Sequence, residues 1–390
     1  MDKNKRQQKL ITAALLCAAF ALTFVLEQII KPADYMYMLL VVLRKSSVYA
    51  IVAVSMNLLN GFTGLFSLGQ AGFMLLGAYT YSIFSIPLAQ RDSVYQYYDY
   101  LIGVSFAETL GNAMGGIGTV LGVFAAILLA GIVAAVVAYL IGFPVLRLKS
   151  DYLAIATLGF AEIIRAILQW GKFGPITNAS NPLKNYVSLN DFQLKAGGAT
   201  VYFGTTFALL IAALCIGFIV MLVNSSYGRA FKAIREDEIA AESMGINLYR
   251  HKQLAFCISS FFAGIGGATL AMFTNVVQAT SFRASMTYEI LLIVVLGGVG
   301  SISGSCIGAA LFIFASEWGL RGLDSGRFIL INAPLVFRNG FRLVIFSIII
   351  MTVVLFFRKG IMGDKELSYT IGRIRERFGA RRRRQDSLND

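Results

Sequence analysis

Long uncharged stretches alternate with short polar ones along this chain. No Asp, Glu, Lys or Arg occurs in five runs, which are Ser46–Gln90, Thr109–Leu146, Ala196–Gly228, Gln253–Phe282 and Ile290–Ser316. A bilayer core about 30 Å thick needs about 20 apolar residues per helix, so each run can cross it once and several can cross twice. Helices of soluble proteins keep a polar face, which these runs lack. The pattern predicts an all-α integral membrane protein.

The apolar segments predict about ten transmembrane helices, some of them broken by glycine. Eight are possible if residues 37–60 or 286–320 are partly re-entrant. The N-terminal run is taken as a membrane helix because it is long for a signal peptide and no small-residue cleavage site follows it. The predicted crossings lie at about 10–29, 37–60, 66–86, 118–143, 151–170, 201–223, 253–274, 286–300, 303–320 and 341–357.

Basic residues predict the orientation. The segments assigned to the cytoplasm hold 21 Lys and Arg and those assigned to the other side hold 12. The positive-inside rule therefore places both termini in the cytoplasm. The cytoplasmic segments are 1–9, 144–150, 224–252 and 358–390. The chain divides into an N-terminal cytoplasmic segment with the first helix (1–36), a main membrane domain (37–357) and a basic cytoplasmic tail (358–390).

Composition excludes several function classes. The net charge is +13, but the basic residues flank membrane helices and form no aromatic-interleaved patch, which favours topology and contact with membrane lipid over nucleic-acid binding. His251 is the only histidine and the four cysteines show no paired spacing, so we expect no metal site. No catalytic residue is predicted.

Five glycines interrupt the apolar stretch Asn57–Tyr81. In hydrocarbon every backbone polar group needs a partner, so a broken helix must lie against protein or a wet cavity. Such breaks in transporters face the cargo. Close helix packing through small residues is the alternative, and both readings stay open. The polar residues that we expect to line a substrate pathway here are Asn57, Asn60, Thr63, Ser67 and Gln70.

A second break lies at Gly297–Gly308, with sequence GGVGSISGSCIG. It adds Ser301 and Ser303 to the expected pathway. Two broken segments in roughly corresponding places hint at an internal repeat.

Two charged residues, Glu162 and Arg165, fall within the fifth predicted helix. Their spacing of three places them on one helix face. Ionisable groups inside a membrane usually face a bundle interior or water, which favours a functional intramembrane ion pair. Mutual neutralisation near the outer end of the helix is the alternative.

The longest loop assigned to the cytoplasm is 224–252. Its consecutive charges, followed by small residues and a glycine, predict a short helix–turn–helix on the membrane face. Such a unit could insert into a groove on a soluble partner, and a solvated connector is the alternative. The residues that we select as candidates are Arg229, Arg235, Glu236, Asp237, Ala240, Ala241 and Gly245.

Four blocks of sequence together resemble the permease subunits of branched-chain amino-acid ABC importers, the LivM type. They occur in the family's order and span about residues 40–320. The blocks are Asn57–Thr80, Leu146–Arg165, Gly228–Asn247 and Leu291–Phe312. The Ala240-Ala241-x-x-x-Gly245 spacing is similar to the coupling motif of ABC importers, although Ile239 stands where that motif usually has an acidic residue.

The resemblance implies a multi-pass permease of the bacterial inner membrane that imports branched-chain or other small amino acids and is not an enzyme. It implies three kinds of partner: a second related permease, two cytoplasmic ATP-binding subunits and an extracytoplasmic solute-binding protein. The block Gly228–Asn247 would couple to the ATPase. The chain has no G-x-x-x-x-G-K-[ST] loop, so we expect it to bind no cofactor and expect ATP and Mg to be used by partner subunits.

Three alternatives remain at the level of sequence. One is an ABC permease for urea or short amides. The second is an ATP-independent transporter or channel for a small solute, which the scarcity of mid-membrane carboxylates disfavours if coupling uses protons or sodium. The third is a membrane scaffold or receptor without transport, for which the broken helices have no obvious purpose.

Overall fold

The structure is a computed structural model that describes residues 18–30, 36–148, 150–196, 199–319, 348, 351 and 360–363. We number its elements in chain order. The helices are α1 (Ala18–Ile29), α2 (Tyr37–Asn57), α3 (Gln70–Ser85), α4 (Arg91–Val94), α5 (Phe106–Met114), α6 (Gly116–Val145), α7 (Ser150–Gln169), α8 (Gly174–Thr177), α9 (Gly204–Val223), α10 (Ser226–Glu236), α11 (Glu238–Ser243), α12 (Leu248–Thr274), α13 (Ala284–Gly297) and α14 (Ile302–Ile313). The strands are β1 (Leu183–Lys184), β2 (Gln193–Ala196), β3 (Ala199–Tyr202) and β4 (Val276–Val277).

Five of the described helices are long and apolar enough to cross a membrane. The number rises to seven if each of two sharply bent helix pairs counts as one span. These pairs are Gln70–Ser85 with Leu88–Val94, bent by 102°, and Ala284–Gly297 with Ile302–Glu317, bent by 120°. The predicted all-α membrane architecture with broken helices is confirmed. The count of ten stays a prediction, since the segments 10–29 and 341–357 lie partly or mostly outside the described residues.

Helix α12 lies at the centre of the bundle and packs against α2, α3 and α6. Glycine permits the closest approaches. A Cβ atom on Gly77 of α3 would lie 2.0 Å from the carbonyl oxygen of Gly264 in α12, and one on Gly267 would lie 1.9 Å from that of Met74. Without a hydrophobic driving force between helices in lipid, such backbone proximity is what holds them together. Gly77 is therefore a packing residue.

The helices run alternately between two faces of the bundle. Helices α10 and α11 lie on one face, between the end of α9 and the start of α12, and we call it the loop face. Two short antiparallel strand pairs, β1–β4 and β2–β3, lie on the opposite face. Gln253, near the start of α12, donates a 2.9 Å hydrogen bond to the carbonyl oxygen of Tyr139, which places the end of α6 at the loop face.

A Tyr-rich segment after α3 covers part of the opposite face. Tyr95 donates to the carbonyl oxygen of Ile176 at 2.8 Å, and Asn178 donates to that of Val94 at 3.0 Å. The buried guanidinium of Arg91 donates to the carbonyl oxygen of Val104 at 2.7 Å and to that of Ile83, near the end of α3, at 3.2 Å. The segment thus fixes the loop that carries α8.

Candidate functional site

The first glycine break joins α2 to α3, and part of its backbone is hydrogen-bonded within the break. A π-helical turn, Leu58–Phe62, continues directly from the end of α2, and α3 begins at Gln70. Between them Thr63 donates to the carbonyl oxygen of Leu58 at 3.0 Å, and the amide of Ser67 donates to the side-chain oxygen of Asn60 at 3.2 Å. These bonds meet the requirement that irregular backbone at membrane depth be paired.

Asn57 joins the first break to the second. Its amide nitrogen donates to the carbonyl oxygen of Ser301 at 2.8 Å and to the hydroxyl of Ser305 at 2.7 Å. Its amide oxygen accepts from the backbone nitrogen of Gly300 at 2.8 Å. Asn57 is fully buried. The two segments that the sequence singled out separately therefore meet through one side chain.

Small residues allow this meeting. A Cβ atom on Gly61 would lie 2.6 Å from the backbone nitrogen of Gly300, which no real side chain tolerates. Ser301 accepts a 3.0 Å hydrogen bond from the backbone nitrogen of Gly304 and so caps α14. The hydroxyl of Ser303 lies 3.3 Å from that of Ser301.

Gln70 opens α3 and belongs to a buried polar chain. Its amide nitrogen donates to the hydroxyl of Ser259 at 2.9 Å, and that hydroxyl donates to the carbonyl oxygen of Ser55 at 2.7 Å. The next amide, of Ala71, donates to the hydroxyl of Thr287 at 3.1 Å. Helices α2, α3, α12 and α13 are thus tied together beside the break.

Most residues expected to line a pathway are buried within the chain in this conformation. At most 2% of each of five residues is exposed, and these are Asn57, Thr63, Ser67, Gln70 and Ser301. Asn60 and Ser303 are partly exposed. The buried ones hold the broken helices in register, and their contact with a solute stays a prediction.

The predicted helix–turn–helix is present as α10 and α11. Asp237 separates the two helices, and one of its carboxylate oxygens accepts from the backbone nitrogens of Ile239 at 2.8 Å and Ala240 at 3.1 Å, a typical N-cap. Gly245 follows α11 with φ +84°, a left-handed conformation that favours glycine. Ala241 is buried and Ala240 is exposed.

This loop rests directly on the first break. The guanidinium of Arg235 donates a 2.8 Å hydrogen bond to the carbonyl oxygen of Gly61, although 174 residues separate them. A Cβ atom on Gly64, whose φ is +75°, would lie 3.1 Å from Arg235 Cγ. The ammonium of Lys232 lies 5.6 Å from the ring centroid of Phe62. Sequence analysis selected Arg235 and the break, but not the contact between them.

Several other charged residues of the loop are paired locally. Glu236 lies 3.0 Å from Arg235, and Arg229 donates to the hydroxyl of Ser226 at 3.0 Å. Lys252 of α12 lies 2.6 Å from Glu238 of α11. Exposed pairs of this kind contribute little stability, on the order of 0–1 kcal/mol. They leave the loop free to serve as a contact surface.

Glu162 and Arg165 form the expected ion pair on α7. Arg165 Nε donates to Glu162 Oε2 at 2.8 Å. The side chains are 39% exposed for Glu162 and 27% for Arg165. The same helix contacts the first break at Thr157, whose hydroxyl accepts a 3.0 Å hydrogen bond from the backbone nitrogen of Leu68.

Sequence analysis missed a second ion pair, Glu27 with Arg44. Arg44 Nη2 lies 3.1 Å from Glu27 Oε1, and both side chains are buried. Glu27 also accepts from the backbone nitrogens of Thr205 at 2.7 Å and Thr206 at 3.1 Å, at the N-terminus of α9. A carboxylate is stabilised there by the helix dipole. The pair ties α1, α2 and α9 together. The only signal for it in the sequence was one charged residue within each of the apolar segments that form α1 and α2.

Comparison with known proteins identifies the family. The model of the family "branched-chain amino acid transport system / permease component" matches residues 38–355. The chain is 32% identical over 338 residues to the high-affinity branched-chain amino acid transport system permease protein LivM of Escherichia coli K12, covering 81% of this chain and 70% of the relative. The chain therefore belongs to this permease family and is a multi-pass membrane transport component rather than an enzyme.

Two more distant relatives are also permeases. The permease LivH, named for the same transport system in Escherichia coli K12, is 33% identical over 114 residues, covering 29% of this chain and 34% of the relative. The guanosine ABC transporter permease NupQ of Bacillus subtilis 168 is 24% identical over 298 residues, covering 74% of this chain and 85% of the relative. No solved structure matches the chain significantly.

Proposed function

We propose that this member of the branched-chain amino acid permease family carries branched-chain or other small amino acids across the bacterial inner membrane, as one permease subunit of an ATP-driven importer. The names of the relatives that match most of the chain support the solute class. ATP and Mg are used by partner subunits, and this chain binds no cofactor.

The contact between Arg235 and Gly61 is the observation that carries the proposal. It joins the exposed loop of α10 and α11 to a helix break inside the bundle. Asn57, one turn before Gly61, extends the connection to the turn between α13 and α14. A movement of the loop therefore displaces both broken segments together. Transport is then a shift between inward-open and outward-open populations, and the partner that binds the loop biases this shift.

The exposed side of the loop fits a soluble partner. Ile239 is 79% exposed and Met244 is 83% exposed, although both are apolar. Apolar side chains flanked by charged residues are typical of docking surfaces. In our proposal these two side chains bind in a groove on a cytoplasmic ATP-binding subunit. The complete importer has two such subunits. An extracytoplasmic solute-binding protein delivers cargo at the opposite face, and a second related permease completes the pathway.

The proposed topology has ten crossings with both termini in the cytoplasm. The alternation of the described helices between the loop face and the opposite face supports it. So does the position of residues 360–363, because the backbone nitrogens of Ile361 and Met362 donate to the carbonyl oxygens of Leu296 and Gly297 at 2.8 and 3.2 Å. The basic tail follows that contact, on the side that the positive-inside rule assigns to the cytoplasm.

Uptake into proteoliposomes tests the proposal. The complex of this chain with its co-purified partners is reconstituted into vesicles. Uptake of labelled leucine is measured with and without ATP enclosed in the vesicles. We expect uptake that requires ATP and the solute-binding protein, and that excess isoleucine or valine suppresses. If guanosine or urea suppresses uptake and isoleucine does not, the chain carries another class of solute. Guanosine is included because of the likeness to NupQ. ATP-independent uptake would contradict the importer assignment.

A further inference from the structure

A partly enclosed cavity lies at the opposite face of the bundle, between the end of α1, the first turns of α2 and the start of α9. Its volume is about 260 Å³. Pockets for drug-sized ligands usually measure about 300–1,000 Å³, so this one suits a smaller solute. Both members of the buried Glu27–Arg44 ion pair line it, together with Asn190 from the loop between β1 and β2. We call it the Arg44 cavity.

The carboxylate of Glu27 is fully occupied by its neighbours. Oε1 accepts from Arg44 Nη2 at 3.1 Å and from the backbone nitrogen of Thr205 at 2.7 Å. Oε2 accepts from the backbone nitrogen and from the hydroxyl of Thr206, each at 3.1 Å. A carboxylate has about four lone-pair sites, so these bonds use its capacity. Glu27 is therefore an anchor for Arg44 rather than a group that contacts a ligand.

Arg44 keeps donors that the described part of the chain does not use. A guanidinium has five N–H groups. Nε donates to the hydroxyl of Thr205 at 2.8 Å, Nη1 to the side-chain oxygen of Asn190 at 2.7 Å, and Nη2 to Glu27. One N–H remains on each terminal nitrogen without an acceptor among the residues that the structure describes. The Arg44 side chain is only 8% exposed. The free capacity at this cavity wall is thus that of a donor, and a ligand must supply acceptor oxygens.

Charge selects among the ligands that have acceptor oxygens. Arg44 and Glu27 together have no net charge, and the other described residues of the cavity wall are uncharged. A carboxylate ion bound to Arg44 would by itself add an uncompensated negative charge beside Glu27, which costs free energy in a poorly solvated site. A zwitterion brings its own ammonium group and keeps the site neutral. Aliphatic residues of the wall, Ile30, Leu40 and Leu189, offer a surface for an apolar side chain.

We infer that the Arg44 cavity binds the transported amino acid as a zwitterion, with the carboxylate of the solute accepting from the two remaining N–H groups of Arg44. The inference rests on the proposed function, which supplies an amino acid as cargo and its delivery at this face. Arg44 and Asn57 both belong to α2, about 20 Å apart along one helix. The same helix therefore carries the solute site near one end and the junction of the two breaks at the other.

Binding of labelled leucine to the complex of this chain with its co-purified permease and ATP-binding subunits tests the inference. The complex is embedded in nanodiscs without the solute-binding protein, and binding is measured by scintillation proximity. Ile30→Trp fills the cavity and leaves both members of the ion pair in place. Ile29→Trp is the matched control, since Ile29 is 67% exposed and does not belong to the described wall of the cavity. We expect the Kd for leucine to rise by an order of magnitude or more in Ile30→Trp and to stay unchanged in Ile29→Trp.

Arg44→Lys tests the chemistry of the site. Lysine keeps a positive charge beside Glu27 but lacks the planar fork of donors, so the solute carboxylate loses its partner while the ion pair is retained. We expect the variant to be recovered as a complete complex with weakened leucine binding. If it is not recovered, Ile30→Trp and competition on the wild-type complex decide the question. Isoleucine should displace leucine, isocaproate, which lacks the ammonium, should do so poorly, and isoamylamine, which lacks the carboxylate, should not.

Three results would overturn the inference: no leucine binding to the wild-type complex, equal binding by Ile30→Trp, or displacement by isocaproate or isoamylamine as complete as that by isoleucine. A zwitterionic phospholipid headgroup shares the chemistry of the proposed ligand. If native mass spectrometry finds a phospholipid on the Ile29→Trp complex that Ile30→Trp lacks, while leucine binding is the same in both, the cavity is a lipid site and the inference fails. ATP-dependent uptake separates this failure from that of the proposed function. Uptake by the wild-type importer persists if only the solute site is wrong, and it is absent if the importer assignment is wrong.

Discussion

The guanidinium of Arg235 donates a 2.8 Å hydrogen bond to the carbonyl oxygen of Gly61. Gly61 lies in the π-helical turn that ends α2, where helical carbonyls lose their usual partners. An exposed loop and an intramembrane helix end therefore share one charge-assisted bond, and bonds of this kind are stronger than neutral ones. In the transport cycle that we propose, this contact passes movement of the loop to the broken helices.

Arg235→Gln should uncouple the loop from the break. We expect membrane insertion and recovery of the partner subunits to be unchanged, while solute-stimulated ATPase and uptake fall several-fold, because a neutral, shorter side chain does not reach the Gly61 carbonyl. The measurement is ATP hydrolysis by the reconstituted importer with and without solute. Arg229→Gln is the matched control on the same helix, since Arg229 donates a hydrogen bond to Ser226 of that helix. Equal losses in the two variants would indicate a general charge effect instead.

Asn57→Leu should destabilise the junction of the two breaks. The substitution removes the acceptor of the Gly300 backbone nitrogen, and an unsatisfied buried donor costs about 1–3 kcal/mol. The carbonyl of Ser301 keeps the backbone nitrogen of Ser305 as a donor. We expect a clear fall in the thermal midpoint of the purified complex and lower yield in membranes. Thr63→Val is the control, because it removes a single hydrogen bond to the carbonyl of Leu58. An Asn57 variant that is no less stable than this control would show that the bridge is dispensable.

Gly245→Trp should block docking of the loop rather than its folding. A Cβ atom at Gly245 would meet nothing within 4 Å among the described residues, so the added bulk projects away from them. We expect normal insertion and loss of solute-stimulated ATPase. Gly245→Asn separates bulk from backbone strain, because Asn tolerates the left-handed φ of +84°. Unchanged stimulation in the Trp variant would remove Gly245 from the coupling surface.

Gly77→Val should prevent assembly of the bundle itself. Its Cβ would lie 2.0 Å from the carbonyl oxygen of Gly264, and backbone atoms cannot yield as a flexible side chain does. We expect almost no folded protein in detergent extracts, judged by size-exclusion chromatography. Gly217→Val in α9 is the control, since a Cβ there would meet nothing within 4 Å. A folded Gly77 variant with full uptake would mean that α3 and α12 can pack further apart.

The sequence by itself determined the membrane architecture and the places where it is irregular. Uncharged runs are a local property, and the thickness of the bilayer translates them into helices without knowledge of the fold. The charges and the glycine around residues 235–245 likewise predicted a helix–turn–helix, because caps and helix ends depend on neighbours in sequence. The blocks that carry the family resemblance placed the same segments in a permease, which the comparison confirmed.

Only the tertiary structure decided what these segments contact. Asn57 and Ser301, or Arg235 and Gly61, are separated by 244 and 174 residues, and no local pattern specifies which distant carbonyl a side chain will reach. The fold also determines which polar residues are buried: Gln70 was expected at a pathway and lies hydrogen-bonded to Ser259 between helices. Burial depends on how neighbouring helices rotate and cross, and that is set by close approaches such as Gly77 on Gly264, which involve the whole bundle at once.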